Sequence, residues 1–176
     1  MRKVVLYVAM SLDGYLAREN GAVDWLHSED QEEEASSFDA FYDTVDTLIM
    51  GRKTFTQVVE ELSPERWVYE GKSCLVYTKE KRPKDPRVTW IKGDLSALVK
   101  ALKKQEGKDI WLVGGGELYR AFAAEDLIDE YILTVMPKIL GQGIPLFDTG
   151  HGETTLELWK VTAHQGRVEM HYKKKL

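Results

Sequence analysis

The sequence predicts an α/β fold in three layers, with a mostly parallel central sheet, helices on both faces and an antiparallel C-terminal edge. Two observations support this prediction. Apolar runs typical of strands covered on both faces alternate with helix-like patterns through the larger part of the chain. From residue 128 onward the patterns are those of strands, and the last two strands alternate polar and apolar residues on either side of Gly166.

Size and charge restrict the class of protein. The 176 residues suit one domain, residues 1–176, and the net charge of -5 argues against nucleic acid or an anionic membrane as partner. Cys74 is the only cysteine and lies in an apolar run, so we expect a buried thiol and no intrachain disulfide. The chain opens directly into a strand pattern and has no apolar run of bilayer length, so we expect a cytoplasmic protein.

The first predicted strand covers residues 4–10 and leads into a loop at residues 11–15. Ligands of open α/β sheets bind at the carboxyl ends of strands, so this loop is expected near a site. A helix is then predicted to begin near Ser28, where the sequence has a capping-box pattern. Acidic residues crowd its first turns, which the helix dipole favours without any catalytic role.

A second strand, residues 47–50, leads into Gly51, Arg52, Lys53 and Thr54 and then into a helix pattern. Cations are disfavoured at a helix N-terminus, so the position of Arg52 and Lys53 is explained if an anion binds there. Two surface cations on a loop are the alternative. Further strands are predicted at residues 73–77, which end at Thr78, and at residues 88–91, and a helix follows near residue 94.

The run at residues 110–113 breaks into three glycines and then into another helix pattern. Glycines allow backbone angles that a Cβ forbids, and the first N–H groups of a helix bind anions. A plain tight turn is one alternative, although it rarely needs three glycines. The other alternative is the dinucleotide fingerprint G-x-G-x-x-G. The chain does not match it, because Tyr119 stands at the position of the third glycine. We predict a nucleotide cofactor, and two anion-suited junctions favour a ligand with two phosphates.

Four segments in this order resemble the dihydrofolate reductase superfamily. Within it the chain is most similar to the branch related to the C-terminal reductase domain of bacterial riboflavin biosynthesis. The segments are residues 9–15, 50–54, 113–119 and 137–147. The resemblance implies a sheet of about eight strands and NADPH as the hydride donor. It also implies a homodimer, because such relatives commonly pair.

The resemblance assigns cofactor contacts along the chain. Ala9 would meet the nicotinamide carboxamide through its backbone, and Gly14 and Tyr15 would belong to the loop over the ring. Arg52 or Lys53 would reach the 2′-phosphate. The other expected cofactor residues hold phosphates, the adenosine end and the nicotinamide side: Gly51, Thr54, Thr78, Lys79, Gly114, Gly115, Gly116, Glu117, Leu118 and Tyr119.

The resemblance says less about the substrate side. Folate-reducing members place an acid on the first helix, a few residues after a tryptophan. Trp25 and Asp30 have suitable spacing, and Thr134 matches a strand threonine that would support the acid, although the accompanying proline is absent. Asp30 and Thr134 are therefore the catalytic candidates. Asp13, Trp25 and Phe55 are the substrate candidates, and the last two are equally consistent with the core. The four histidines lack metal-like spacing, so we expect no metal.

Three functions are consistent with the sequence. The first is an NADPH-dependent reductase of a small heterocyclic or ribosylamino-pyrimidine-like substrate, similar to 5-amino-6-(5-phosphoribosylamino)uracil reductase. It would stand alone, because the zinc motif of the deaminases is absent. The second is a dihydrofolate reductase. The third is a nucleotide-binding module that reduces nothing.

Overall fold

The computed structural model describes residues 1–26, 34–148 and 152–175. Its strands, in chain order, are β1 Val4–Ser11, β2 Tyr15–Ala17, β3 Val45–Gly51, β4 Ser73–Tyr77, β5 Thr89–Ile91, β6 Asp109–Gly114, β7 Glu130–Met136, β8 Ile144–Pro145, β9 Leu156–His164 and β10 Arg167–Lys174. Its α-helices are α1 Glu34–Tyr42, α2 Arg52–Gln57, α3 Leu95–Lys103 and α4 Gly116–Ala124. The predicted helix start near Ser28 and the catalytic candidate Asp30 lie outside the described residues.

Eight strands form the main sheet in the order β5-β4-β3-β6-β1-β7-β10-β9. The first six run parallel, and β10 pairs antiparallel with both β7 and β9. The predicted fold class is thereby confirmed. Because β6 lies between β1 and β3, the carboxyl ends of these three strands are adjacent. The two predicted strand–glycine–helix junctions therefore lie side by side.

Two apolar cores explain why the central strands are almost continuously hydrophobic. Alternate residues of each strand enter opposite cores, so β1 sends Leu6 to one face and Val5 to the other. Leu102 and Phe122 of α3 and α4 cover the first face, and Phe41 of α1 covers the second. Burial on both faces stabilises the sheet chiefly through the hydrophobic effect, and it fixes where each strand ends.

Some elements depart from the sequence pattern. The helix after Gly51 changes at Val58 into five π-helical residues, Val58–Leu62, closed by a 2.8 Å bond from the Ser63 N–H to the Val58 carbonyl. This wider turn leaves Leu62 half exposed rather than in the apolar stripe that helical spacing predicts. The strand predicted from residue 128 begins at Glu130. Cys74 is buried as predicted, and burial raises the pKa of its thiol to about 11.

The C-terminal hairpin forms where the alternating pattern places it. Gln165 and Gly166 form its tight turn with φ of +46° and +77°, angles typical of a two-residue hairpin turn. The hairpin leaves β9 at the edge of the sheet, next to β10 alone. No described helix is long and apolar enough to cross a bilayer.

Candidate active site

A cleft of about 1380 Å³ runs across the carboxyl ends of the parallel strands. Residues from the ends of β1, β3, β4 and β6, from the starts of α2 and α4, and from the segment after β2 line it. The cleft is open along one side and mixes polar and apolar lining. Its volume and its position at the strand ends suit an extended small-molecule ligand.

The junction between β3 and α2 supplies cations and free N–H groups to this cleft. Gly51 is the N-cap of α2, and no side chain caps that helix start. Arg52 lines the cleft and is half-buried, and it makes none of the ion pairs seen among the described residues. Lys53 is exposed, and its ammonium lies 3.2 Å from the Glu117 carboxylate. The uncapped helix start and two adjacent cations form an anion-binding arrangement.

The junction between β6 and α4 forms the opposite wall. Gly115 is the N-cap of α4, with φ of +95° and no side-chain cap. A Cβ on this residue would lie 2.9 Å from the Thr54 hydroxyl oxygen, because the two junctions approach closely here. The same Thr54 hydroxyl donates to the Gly114 carbonyl at 3.4 Å. The contact therefore joins the two helix starts into one surface that faces the cleft.

Most of the predicted cofactor residues lie together on this surface. The cleft is lined by Ala9, Gly51, Arg52, Lys53, Thr54, Thr78, Lys79, Gly115, Gly116, Glu117 and Leu118. The other four, Gly14, Tyr15, Gly114 and Tyr119, are outside the lining. Tyr119 is buried against Phe147 with ring centroids 6.0 Å apart, and Tyr15 pairs with β8. The role of each residue toward a cofactor stays a prediction.

The three substrate candidates have structural contacts and do not line the cleft. The exposed carboxylate of Asp13 accepts hydrogen bonds from the Leu140 and Gly141 N–H groups at 3.1 and 2.7 Å. Its hydrogen bond from the Ser11 hydroxyl is the main cause of a lowered pKa. Trp25 and Phe55 are buried, and Phe55 packs edge-on against Trp90 at 5.2 Å. Their assignment to a substrate stays a prediction.

Thr134 belongs to a polar cluster that the sequence did not predict. Here the term polar cluster means Tyr7, Ser37, Thr134, Glu169 and His171. The Tyr7 hydroxyl donates to Glu169 Oε2 at 3.0 Å, and His171 Nε2 lies 2.7 Å from Glu169 Oε1. Ser37 donates to the same carboxylate at 3.0 Å, and Thr134 hydrogen-bonds to the Tyr7 hydroxyl. Of these residues, Tyr7 lines the cleft.

The charge state of the polar cluster follows from its contacts. Burial acts to raise the pKa of Glu169, but hydrogen bonds from His171, Ser37 and Tyr7 outweigh it, and the pKa is lowered. Burial and the nearby Glu169 charge raise the pKa of Tyr7 above its ordinary value. The cluster therefore holds Glu169 as a carboxylate at neutral pH. No group of three or more His, Cys, Asp or Glu among the described residues could hold a metal.

The sheet order and the paired strand–glycine–helix junctions define a protein of the dihydrofolate reductase-like class. The particular family follows from the sequence comparison. The family model of the RibD C-terminal domain matches residues 2–169, so the chain belongs to that family. Members of this family are reductases, which indicates an oxidoreductase.

Known proteins show how far this likeness extends. "Uncharacterized protein YwjB" of Bacillus subtilis (strain 168) is 43% identical over 172 residues, which is 97% of either chain. A solved structure from Shewanella sp. PV-4, described as a "putative riboflavin biosynthesis protein", is 30% identical with a TM-score of 0.87, and the match covers 99% of both chains. RibD of Acinetobacter baumannii shares the fold at 21% identity and a TM-score of 0.74. The match covers 99% of this chain and 58% of that one.

Proposed function

We propose that the protein is an NADPH-dependent reductase of a small heterocyclic or ribosylamino-pyrimidine-like molecule. One observation carries the proposal. A single cleft connects two uncapped helix starts, with Arg52 and Lys53 beside one of them, to the end of β1 at Ala9. Membership of the RibD C-terminal domain family supports the reductase class. The substrate class comes from the riboflavin-biosynthesis description of the Shewanella relative.

The residues of the cleft fit an extended dinucleotide. Its diphosphate would face the N–H groups at the starts of α2 and α4, which the close approach of Gly115 to Thr54 brings together. Arg52 would hold the 2′-phosphate that distinguishes NADPH from NADH. Thr78 and Lys79 would flank the adenosine end of the ligand, and Ala9 would lie at the nicotinamide end. The bound cofactor would supply a hydride, and the protein would orient substrate and cofactor and exclude water.

The first prediction tests whether the protein binds a nicotinamide cofactor and whether it prefers NADPH to NADH. NADPH and NADH are titrated at one fixed ionic strength, with tryptophan fluorescence as the readout. Arg52→Ala is expected to weaken NADPH binding about tenfold or more and NADH binding much less, because a charge-assisted hydrogen bond to phosphate contributes roughly 1.5–3 kcal/mol. Arg66→Ala is the control, since Arg66 is an exposed arginine outside the cleft lining. Failure of the wild-type protein to bind either nucleotide would refute the proposal.

A substrate panel separates the three functions considered from the sequence. With NADPH bound, oxidation is followed in the presence of a ribosylamino-pyrimidine phosphate, dihydrofolate, and small imines and carbonyls. Turnover of the first compound supports the proposed reductase, and turnover of dihydrofolate alone indicates a dihydrofolate reductase. Tight NADPH binding with no oxidation across the whole panel indicates a nucleotide-binding module. Substrate contacts lie on loops that vary independently of the fold, so only the panel decides among them.

We also propose a homodimer that pairs through β9. This edge strand exposes Leu158, Trp159 and Val161 to 49%, 51% and 56%, although exposed apolar edge strands are normally avoided. The wild-type protein is expected to have twice the chain mass in light scattering at micromolar concentration, and Val161→Glu is expected to be monomeric. Thr155→Glu, at an exposed residue just before the same strand, is the control for charge alone. A monomeric wild-type protein would contradict the proposal.

A further inference from the structure

We propose that the substrate carries no phosphate, because the part of the cleft that would receive it is lined by carboxylates and apolar side chains. The inference rests on the proposed reductase function and narrows its substrate to the phosphate-free form of a ribosylamino-pyrimidine-like molecule. Glu19 and Glu61 are the residues that select against the phosphate, since like charges placed together disfavour binding.

Two walls enclose the part of the cleft that lies beyond the helix starts. It is called the substrate half here, and its walls are residues 16–26 and residues 57–62, which both contribute to the lining. The side-chain amide of Gln57 donates to the Gly21 carbonyl at 2.8 Å, so the two walls are joined. β2, which belongs to the first wall, packs beside β1. A substrate that meets a nicotinamide at Ala9, near the end of β1, would therefore lie between these walls.

Aromatic and apolar side chains line much of the substrate half. Tyr7, Tyr69 and Val58 line the cleft and belong to the apolar core on the α1 face of the sheet or pack against it. The rings of Tyr7 and Tyr69 both contact Trp111, with centroids 6.5 and 5.8 Å from it. Leu62, the last residue of the π-helical segment, lines the cleft and is half exposed, so part of its apolar surface can contact a ligand. These surfaces suit a flat heterocycle.

The charges of the lining differ between the two ends of the cleft. In the described part of the chain, the cations that line the cleft are Arg52, Lys53, Lys79 and Arg120. Each of them lies on α2, on α4 or just after β4, which is the end proposed for the cofactor. The charged lining residues of the substrate half are instead Glu19 and Glu61.

No described cation pairs with these two carboxylates. Glu19 and Glu61 have no hydrogen bond or ion pair with another described residue. Arg18 is outside the lining, and its Nε and Nη2 atoms donate to Asp24 at 2.7 and 2.9 Å. The residues outside the described ranges include no lysine or arginine. A phosphate in the substrate half would therefore meet negative charge, and no cation of the described residues would hold it there.

Removal of the phosphate changes what the sugar end of the substrate offers. A phosphate ester brings negative charge and acceptor oxygens, to which the carboxylates of Glu19 and Glu61 cannot donate. The free hydroxyl in its place can donate to a carboxylate, and such a charge-assisted hydrogen bond is roughly twice as strong as a neutral one. The same two residues therefore disfavour the phosphorylated form and hold the unphosphorylated one.

The test uses two probes that differ by the phosphate alone, 5-amino-6-(ribosylamino)uracil and its 5-phosphate on the ribose. Both are titrated into protein saturated with NADP⁺, so that the phosphate probe cannot occupy the cofactor end. We expect the unphosphorylated probe to bind at least about tenfold more tightly. The double variant Glu19→Gln/Glu61→Gln is expected to bring the two affinities within about threefold of one another. Salt screens repulsion between exposed charges, so the difference should also narrow between about 0.05 M and about 0.5 M salt.

Controls separate this inference from the proposed function. Glu60→Gln/Glu65→Gln removes the same charge from two exposed residues outside the lining, and it should keep the wild-type preference. NADPH is titrated into every protein. If NADPH binds but the phosphate probe binds as tightly as the other, if neither probe binds, or if Glu19→Gln/Glu61→Gln keeps the preference, the inference is overturned and the reductase proposal stands. If the wild-type protein does not bind NADPH, the reductase proposal itself fails.

Discussion

Gly115→Ala is expected to weaken NADPH binding about 10- to 100-fold, because it changes the wall on which the diphosphate would lie. Gly115 has φ of +95°, which side chains rarely adopt and which costs roughly 1–3 kcal/mol for a residue with a Cβ. The added Cβ would also lie 2.9 Å from the Thr54 hydroxyl oxygen. The Thr54 side chain must turn, or the glycine segment or the start of α2 must move, so the contact that joins the two helix starts is lost. Tryptophan fluorescence titration measures the loss.

Two further variants separate backbone strain from the steric contact. Gly71→Ala introduces the same residue at φ of +76°, with nothing within 4 Å of the new Cβ and outside the cleft lining. It should cost a similar roughly 1–3 kcal/mol of stability and leave NADPH affinity unchanged. The double variant Gly115→Ala/Thr54→Ala removes the oxygen that the new Cβ meets, so it reports how much of the loss is steric. Equal NADPH affinities for wild type and Gly115→Ala would show that the glycine wall does not contact the cofactor.

The sequence predicted the parallel part of the fold because the signals there are local. A strand covered on both faces must be apolar throughout, and a glycine at its end marks the turn into a helix. The runs that became β3 and β6 carry both signals, the run that became β1 carries the first, and the strands occur where those runs lie. Their adjacency in the sheet placed Gly51 and Gly115 together. That adjacency follows from the order of the strands in the sheet, which no local pattern of the sequence indicates.

The polar cluster was missed because its members are far apart in sequence. Tyr7 and Glu169 are separated by 162 positions, and they meet only after β7 and β10 have paired in one register. In the sequence Glu169 is an ordinary polar residue in an alternating strand, and Tyr7 is one aromatic residue in an apolar run. A shift of the register by one residue would send Glu169 to the other face. No spacing rule predicts such a contact.

The substrate candidates show a different limit. Trp25 and Phe55 were equally consistent with core and substrate wall, because a large aromatic side chain near a predicted site fits either role. The structure buries both, and Phe55 packs among Trp67 and Trp90 rather than along the cleft. Aromatic partners from two other segments of the chain decide the packing of Phe55. Composition alone could not show which aromatic residue faces inward.

Gly143→Ala is expected to be the most destabilising of the single alanine substitutions at the glycines that the structure describes. Gly143 has φ of +152°, and a Cβ there would lie 2.2 Å from the Ala17 carbonyl oxygen, which is backbone and cannot rotate away. Backbone strain and overpacking each cost roughly 1–3 kcal/mol, so we expect a loss of about 3 kcal/mol or more. For a chain of this size that is a fall in Tm of about 6–12 °C.

The damage should be concentrated where β2 pairs with β8, since Gly143 lies next to Ile144 in that pair. Hydrogen exchange tests this directly. The Leu146 amide, which donates to the Gly14 carbonyl at 2.9 Å, should lose protection, while amides of β6 should not. Gly141→Ala is the matched control, because Gly141 is in the same loop at φ of +78° with nothing within 4 Å of a Cβ. If both variants melt at the same temperature, the contact between Gly143 and Ala17 does not limit stability, and the loop relaxes more freely than its geometry indicates.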